Sequence, residues 1–252
     1  MTRWWHLGTL LLGLAVAGAA DSAPRDADHA PWDLLLHRYV HAGLVDYRGL
    51  ATERAVLNQY LASLQDVDPA TLPSRQAQAA FWINAYNACV IAGVLDHQPL
   101  ASVKDVKGFF DKVRYPIGSH PLTLNEIEAK GRALGDWRIH VAVVCASSSC
   151  PPLRSEAYVA ERLEDQLTEQ ATRFFRDQRH GLRVEGSTLW LSKIVKWYAE
   201  DFVGKQPLTS ATVLSVLGPF LAPEVRQRLQ QERLAIKFLD YDWTLNAQRP
   251  GR

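Results

Sequence analysis

His140, Cys145 and Cys150 lie within residues 138–153, the stretch of the chain richest in side chains able to do chemistry. Cysteine is the intrinsically nucleophilic side chain near neutral pH. It acts as thiolate, so it needs a histidine, a cation or a helix N-terminus to lower its pKa. Residues 138–145 (Arg-Ile-His-Val-Ala-Val-Val-Cys) read as a strand, and their near-continuous β-branched run predicts burial on both faces. A serine-rich loop, residues 146–149, then leads to Cys150-Pro151-Pro152. Loops leaving a buried strand are where a scaffold holds a reactive group within reach of solvent.

Along an extended strand His140 and Cys145 would stand about 16 Å apart and point to opposite faces. Cys150, on a loop free to reverse, is therefore the expected nucleophile for a pair with His140, with Cys145 kept in the candidate set. Pro151 suits a first helical position, which would put Cys150 at a helix N-terminus. Asn84, Asn87, Glu126 or Asp201 could orient the imidazole, and spacing does not choose among them. Backbone N–H groups of residues 146–150 are the expected oxyanion hole.

Other readings compete. In an oxidising compartment Cys145 and Cys150 could form a disulfide, or cycle between dithiol and disulfide, although C-x₄-C is not the usual redox spacing. His140 could be a structural histidine bonded to backbone. A zinc site from His140, Cys145 and Cys150 lacks paired C-x₂-C spacing and a fourth ligand. No phosphate loop or dinucleotide fingerprint is present, so no cofactor is expected. Residues 191–201 and 241–246 interleave aromatics with ionisable groups, which suits a cleft gripping a polar ligand and equally suits structural Trp and Tyr.

The elements that must position these groups are mostly helical. Residues 32–40, 51–65, 74–95, 123–133, 157–176, 196–202, 208–217 and 223–231 carry helical patterns, with Thr123 and Glu126 at capping-box spacing. Residues 45–47 form a short extended piece. Residues 115–124 read as a hairpin-like turn, residues 182–184 and 188–192 as a hairpin, and residues 235–239 as a last strand. On the 74–95 helix Trp82, Ala85, Tyr86, Cys89 and Gly93 share one face, which makes Cys89 a core residue. That helix is apolar nearly all round, hence central, so Asn84 and Asn87 would be buried and need partners. Helices outnumber strands without β-α alternation. The expected fold is a single α+β domain, helix-rich around a small mixed or antiparallel sheet.

The ends and the composition bound the setting. Arg3, the apolar residues 7–17 and the small residues that follow read as an export signal over residues 1–23. That run is too short to span a bilayer, which takes ~20 apolar residues, and no cysteine follows it for lipid anchoring. A flexible lead-in (24–31), a globular domain (32–246) and a tail (247–252) are expected, with the protein periplasmic or secreted. The chain of 252 residues balances 28 Lys and Arg against 27 Asp and Glu, so neither nucleic acid nor a stable membrane anchor is expected. A small molecule, peptide or glycan is the expected ligand.

Together Val45-Asp46-Tyr47, Phe81-Trp82-Ile83-Asn84-Ala85-Tyr86-Asn87-Ala88, His140 through Cys145 to Cys150-Pro151, Ser192-Lys193-Ile194, Lys196-Trp197-Tyr198, Asp201-Phe202 and the 241–246 string Tyr-Asp-Trp-Thr-Leu-Asn resemble the family called domain of unknown function 547. The resemblance runs from about Trp32 to Asn246. It implies an exported or envelope protein, without assigning an activity, and its motifs fall on Asn84, Asn87, His140, Cys145 and Cys150. Papain-like and transglutaminase-like thiol enzymes offer an analogy with a different chain order. The reading from sequence is a cysteine-dependent hydrolase or acyl-transfer enzyme acting on an amide or ester. The alternative is a periplasmic binding module stapled by a Cys145–Cys150 disulfide.

Overall fold

The structure, a computed structural model, describes Met1, residues 27–118 and residues 120–248. The expected signal segment, Met1 apart, lies outside the described residues. In chain order the elements are α1 (Ala30–Tyr39), β1 (Val40–His41), β2 (Leu44–Val45), α2 (Tyr47–Thr52), α3 (Arg54–Gln65), α4 (Arg75–Asp96), β3 (Arg114–Ile117), β4 (His120–Thr123), α5 (Leu124–Arg132), α6 (Ile139–Ala142), α7 (Leu163–Arg176), β5 (Leu182–Glu185), β6 (Thr188–Leu191), α8 (Lys193–Trp197), α9 (Ala199–Val203), α10 (Ser210–Leu217), α11 (Pro223–Gln231) and β7 (Ala235–Phe238). This is a helix-rich α+β fold. Two hairpins, β1–β2 and β3–β4, stand apart from a small mixed sheet in which β6 pairs antiparallel with β5 and parallel with β7.

α4 is the axis of the first core. Ser74 caps it by accepting from the Ala77 N–H, and nearly every residue from Ala80 to Val94 is buried, Cys89 included. Its length and composition would suffice to cross a membrane, yet 83% of that apolar window is buried inside the protein, as in a core helix. α5 and α3 pack against it, and α1 joins the same core by packing on α3. α5 approaches closely because Gly131 has no Cβ: one built there would overlap the Ile139 side chain of α6. Gly43, at φ +90° in the β1–β2 turn, is likewise pressed against Pro152, so only glycine fits both the conformation and the space. That contact seats the Cys150-Pro151-Pro152 segment.

A second core gathers the sheet, α10, α11 and the end of α7. α7 straddles the two cores: Leu163 and Leu167 belong to the first, Ala171, Phe174 and Phe175 to the second. α6 does the same within one turn, with Ile139 and Ala142 on one side and Val141 on the other. The candidate site residues His140, Cys145 and Cys150 line a cavity on this seam.

Residues 138–145 are not a strand. The Arg138 N–H bonds to Asp136 Oδ1, and the amides of Ile139, His140 and Val141 donate to the carbonyls of Asp136, Trp137 and Arg138, winding the chain into a turn that becomes α6. The β-branched run is buried on both sides because two cores flank it, not because strands do. Its backbone finds partners in a side chain: Asn87 donates to the Ala142 carbonyl (3.0 Å) and accepts from the Val144 N–H (2.8 Å). Asn84 does the same at Tyr158, donating to its carbonyl (2.7 Å) and accepting from its N–H (3.0 Å). With the amides of Ala157 and Val159 taken by Asp33 and Gln166, residues 157–159 stay extended, and α7 starts later than its periodicity predicts. Pro151 opens no helix either, since residues 151–154 are irregular, so Cys150 has no helix N-terminus beneath it.

Candidate active site

The cavity of about 260 Å³ that opens on the seam takes walls from both cores: Tyr86 of α4, Glu128 of α5, His140 of α6, Cys145, Cys150, Trp197 and Tyr198 around α8, Tyr241 and Trp243. His140 and Cys145 thus meet at one cavity, which a strand would have forbidden.

The thiol loop is held from the C-terminal end of the described chain. Ala146 adopts φ +61°, a left-handed conformation costing an alanine roughly 1–2 kcal/mol. Bonds from Asn246 N–H to the Ala146 carbonyl (3.0 Å), from Ser148 N–H to Thr244 (2.7 Å) and from Ser149 N–H to Asp242 (3.2 Å) offset that cost. The same clamp brings in Tyr241. Around Cys145 Sγ stand Cys150 Sγ at 2.8 Å, Ser147 Oγ at 3.1 Å and the Tyr241 hydroxyl at 3.3 Å. The Cys150 thiol, then the hydroxyls of Ser147 and Tyr241 and the Ser147 N–H, hold Cys145 below the ordinary thiol range in spite of its burial. Burial and the sulfur it shares a proton with push Cys150 up. Cys150 Sγ accepts a bond from the Cys145 N–H (2.9 Å), while more donors gather on Cys145 Sγ, which favours Cys145 as the thiolate of the pair. All three cysteines are free thiols, so the Cys145–Cys150 disulfide expected of a stapled module is absent.

The imidazole belongs to a charge chain. Arg132 grips Asp201 with Nε (2.7 Å) and Nη2 (3.1 Å), and Asp201 Oδ2 lies 2.7 Å from His140 Nε2. Tyr198 stacks on the ring at 3.9 Å between centroids. Arg132 first, then His140, keeps Asp201 below its usual range. Burial outweighs Asp201 and lowers the His140 pKa, so the ring is neutral near pH 7. An ionised carboxylate only accepts, hence Nε2 carries the proton and Nδ1 keeps a lone pair. That Nδ1 is buried without a hydrogen-bond partner, and Glu128 Oε1 stands 4.0 Å away. A base with a free acceptor is what deprotonating a thiol or a water requires, and His140 lines the cavity.

Residues 69–175 match the family model described as Protein of unknown function, DUF547. This is a DUF547 domain-containing protein. The matched stretch is narrower than the resemblance read from the motifs. It carries α4, α5, α6 and both cavity cysteines, while Asp201, Trp197 and Tyr241 lie beyond it. No curated protein and no solved structure matches the chain.

Within the DUF547 segment the other expected orienters of the imidazole go elsewhere. Asn84 and Asn87 are fully buried, and each uses both ends of its amide on backbone. Glu126 completes the capping box with Thr123 and pairs with Arg114 at the surface. Of the four candidates, Asp201 is the one bonded to His140. The expected oxyanion hole loses three donors, because the amides of Ser148, Ser149 and Cys150 already bond to carbonyls. Among the described residues no group of three or more His, Cys, Asp or Glu could hold a metal ion. Glu128, Arg132 and the left-handed Ala146 escaped the sequence reading. The available signal was Glu128 itself, a carboxylate between Leu124, Ile127 and Gly131 on the buried stripe of α5.

Proposed function

We propose that this cavity is the active site of a thiol-dependent hydrolase or acyl-transfer enzyme acting on an amide or ester, with Cys145 in place of Cys150 as nucleophile. One observation carries the reading: Cys145 has donors enough to ionise, in a cavity shared with a neutral, Asp201-bound imidazole whose Nδ1 is unpartnered.

In the reaction His140 Nδ1 takes the thiol proton and Sγ attacks the carbonyl carbon, forming the C–S bond as the carbonyl π electrons move to oxygen. The Tyr241 hydroxyl and the Ser147 N–H, which serve the thiolate, are the donors nearest that oxygen. Collapse breaks the C–N or C–O bond, and the leaving group takes the proton from the imidazolium, whose charge Asp201 stabilises. Water, or an acceptor amine or alcohol, then gives its proton to Nδ1 and displaces Sγ from the acyl thioester. The export signal read in residues 1–23 would put this chemistry in the periplasm or outside the cell, on peptide or glycan substrates.

The test is intact-protein mass spectrometry after brief exposure to p-nitrophenyl acetate, with peptide mapping. Expected is one acetyl group on Cys145, missing in Cys145→Ala and still formed in Cys150→Ala. Undiminished acetylation in Cys145→Ala would dispose of the mechanism.

A further inference from the structure

Thioester chemistry uses the Tyr241 hydroxyl but leaves two other features of the cavity unused. One is its aromatic wall. Trp197, Tyr241 and Trp243 form a three-ring cluster with centroids 4.8, 4.7 and 6.0 Å apart, and Trp197 is 47% exposed, unusual for so large a ring. The other is a buried carboxylate, Glu128, with no Lys or Arg at ion-pair distance among the described residues, although the Arg132 guanidinium acts on it from farther off. Of the two carboxylates beside His140, Asp201 has the Arg132 guanidinium in a two-bond grip, whereas the Glu128 side chain is 11% exposed and receives a bond from the Tyr198 hydroxyl. The basic group at ion-pair distance from Glu128 is His140, at 4.0 Å, and that ring is neutral. Burial accordingly raises the Glu128 pKa. A buried carboxylate lacking a cation is costly, and a ligand that brings the cation removes the cost.

We propose that this cavity takes a substrate bearing an ammonium or quaternary ammonium group, its charge set between Glu128 and the rings of Trp197, Tyr241 and Trp243. Ring faces attract such cations through their quadrupoles, and a carboxylate at the same site adds direct charge pairing. One ring of this wall already meets an ammonium: Lys104 Nζ lies 4.9 Å from the Trp243 ring centroid. The inference rests on the proposed function for where the scissile carbonyl goes, but binding of the cation does not need the thiol.

Choline and its uncharged carbon isostere 3,3-dimethyl-1-butanol separate charge from shape. Tryptophan fluorescence of the full chain should be quenched saturably by choline chloride, against a matched sodium chloride control, with the alcohol weaker by roughly tenfold or more. Glu128→Gln should remove most of that preference, and Trp197→Ala should weaken choline several-fold. Circular dichroism checks that Glu128→Gln folds; if it does not, Trp197→Ala, at an exposed ring, decides. Equal affinity for choline and alcohol, no saturable quenching, or choline affinity unchanged in the folded variants would overturn the proposal. Choline binding without an acetyl adduct on Cys145 would sink the thiol mechanism and leave this inference standing. An adduct without choline binding would do the reverse.

Discussion

Two sets of polar side chains are buried near α6, and they are treated in opposite ways. On α4, Asn84 and Asn87 have every amide end matched to a backbone group, and they do what a neighbouring strand would do for residues 142–144 and 158. Across the seam His140 Nδ1 is buried without a hydrogen-bond partner, Glu128 has no Lys or Arg at ion-pair distance, and Cys145 collects more donors than a resting thiol needs. Satisfied buried groups stabilise and specify the scaffold; unsatisfied ones cost stability and persist where a ligand or a reaction completes them. The difference separates the asparagines from the thiol and imidazole, although all of them looked equally chemical as residue types.

The comparison breaks first at Cys145. Cys145→Ala should lower acylation by on the order of 10³-fold or more while the protein remains folded, measured as adduct formation against time. On the scaffold side, Asn87→Ala leaves the Ala142 carbonyl and the Val144 N–H buried and unpaired, at about 1–3 kcal/mol each. A loss of roughly 2–4 kcal/mol in urea unfolding is expected. A loss near zero would mean that water reaches these groups and that the asparagine is no strut. Asp201→Asn should cost about 10²-fold or more in acylation, because the amide no longer fixes the Nε2–H tautomer. Its pH profile should shift with it: without the carboxylate the imidazolium loses support, so the His140 pKa falls further and the acid limb of the profile moves to lower pH. An unmoved profile would assign Asp201 to structure alone. Smallest of all, Glu126→Gln should leave acylation untouched, since that carboxylate caps α5 at the surface, far from the chemistry in role.

The sequence was most legible where the decisive contacts are local. The capping box of Thr123 and Glu126, the hairpin around Glu185-Gly186 and the apolar circumference of α4 all depend on neighbours within a few residues. Burial of Cys89 and of the asparagines followed from the same periodicity. The 138–145 segment misled because a β-branched run reports burial on two sides without saying what buries it. Here the partner is the side chain of Asn87, 55 to 57 residues away in sequence. From that error came the choice of Cys150, since an extended backbone would hold His140 and Cys145 apart on opposite faces. Asp201 was one of four open candidates to orient His140 and Tyr241 was visible only as a residue, because their bonds to His140 and Cys145 span 61 and 96 positions. The left-handed Ala146 had no local signal, being an alanine where glycine or asparagine would have announced the turn.

The central claim is that Cys145, not Cys150, is the activated thiol, and alkylation against pH tests it most directly. Cys145 has a depressed pKa, so its thiolate is present above that value and is lost as pH falls through it. Iodoacetamide applied across a pH series, with the modified cysteines mapped by peptide mass, should label Cys145 first and with a midpoint below the ~8.5 of a free thiol. Cys150 and Cys89, raised by burial, should lag far behind. Labelling of Cys150 ahead of Cys145, or a Cys145 midpoint at or above that of a free thiol, would contradict the account.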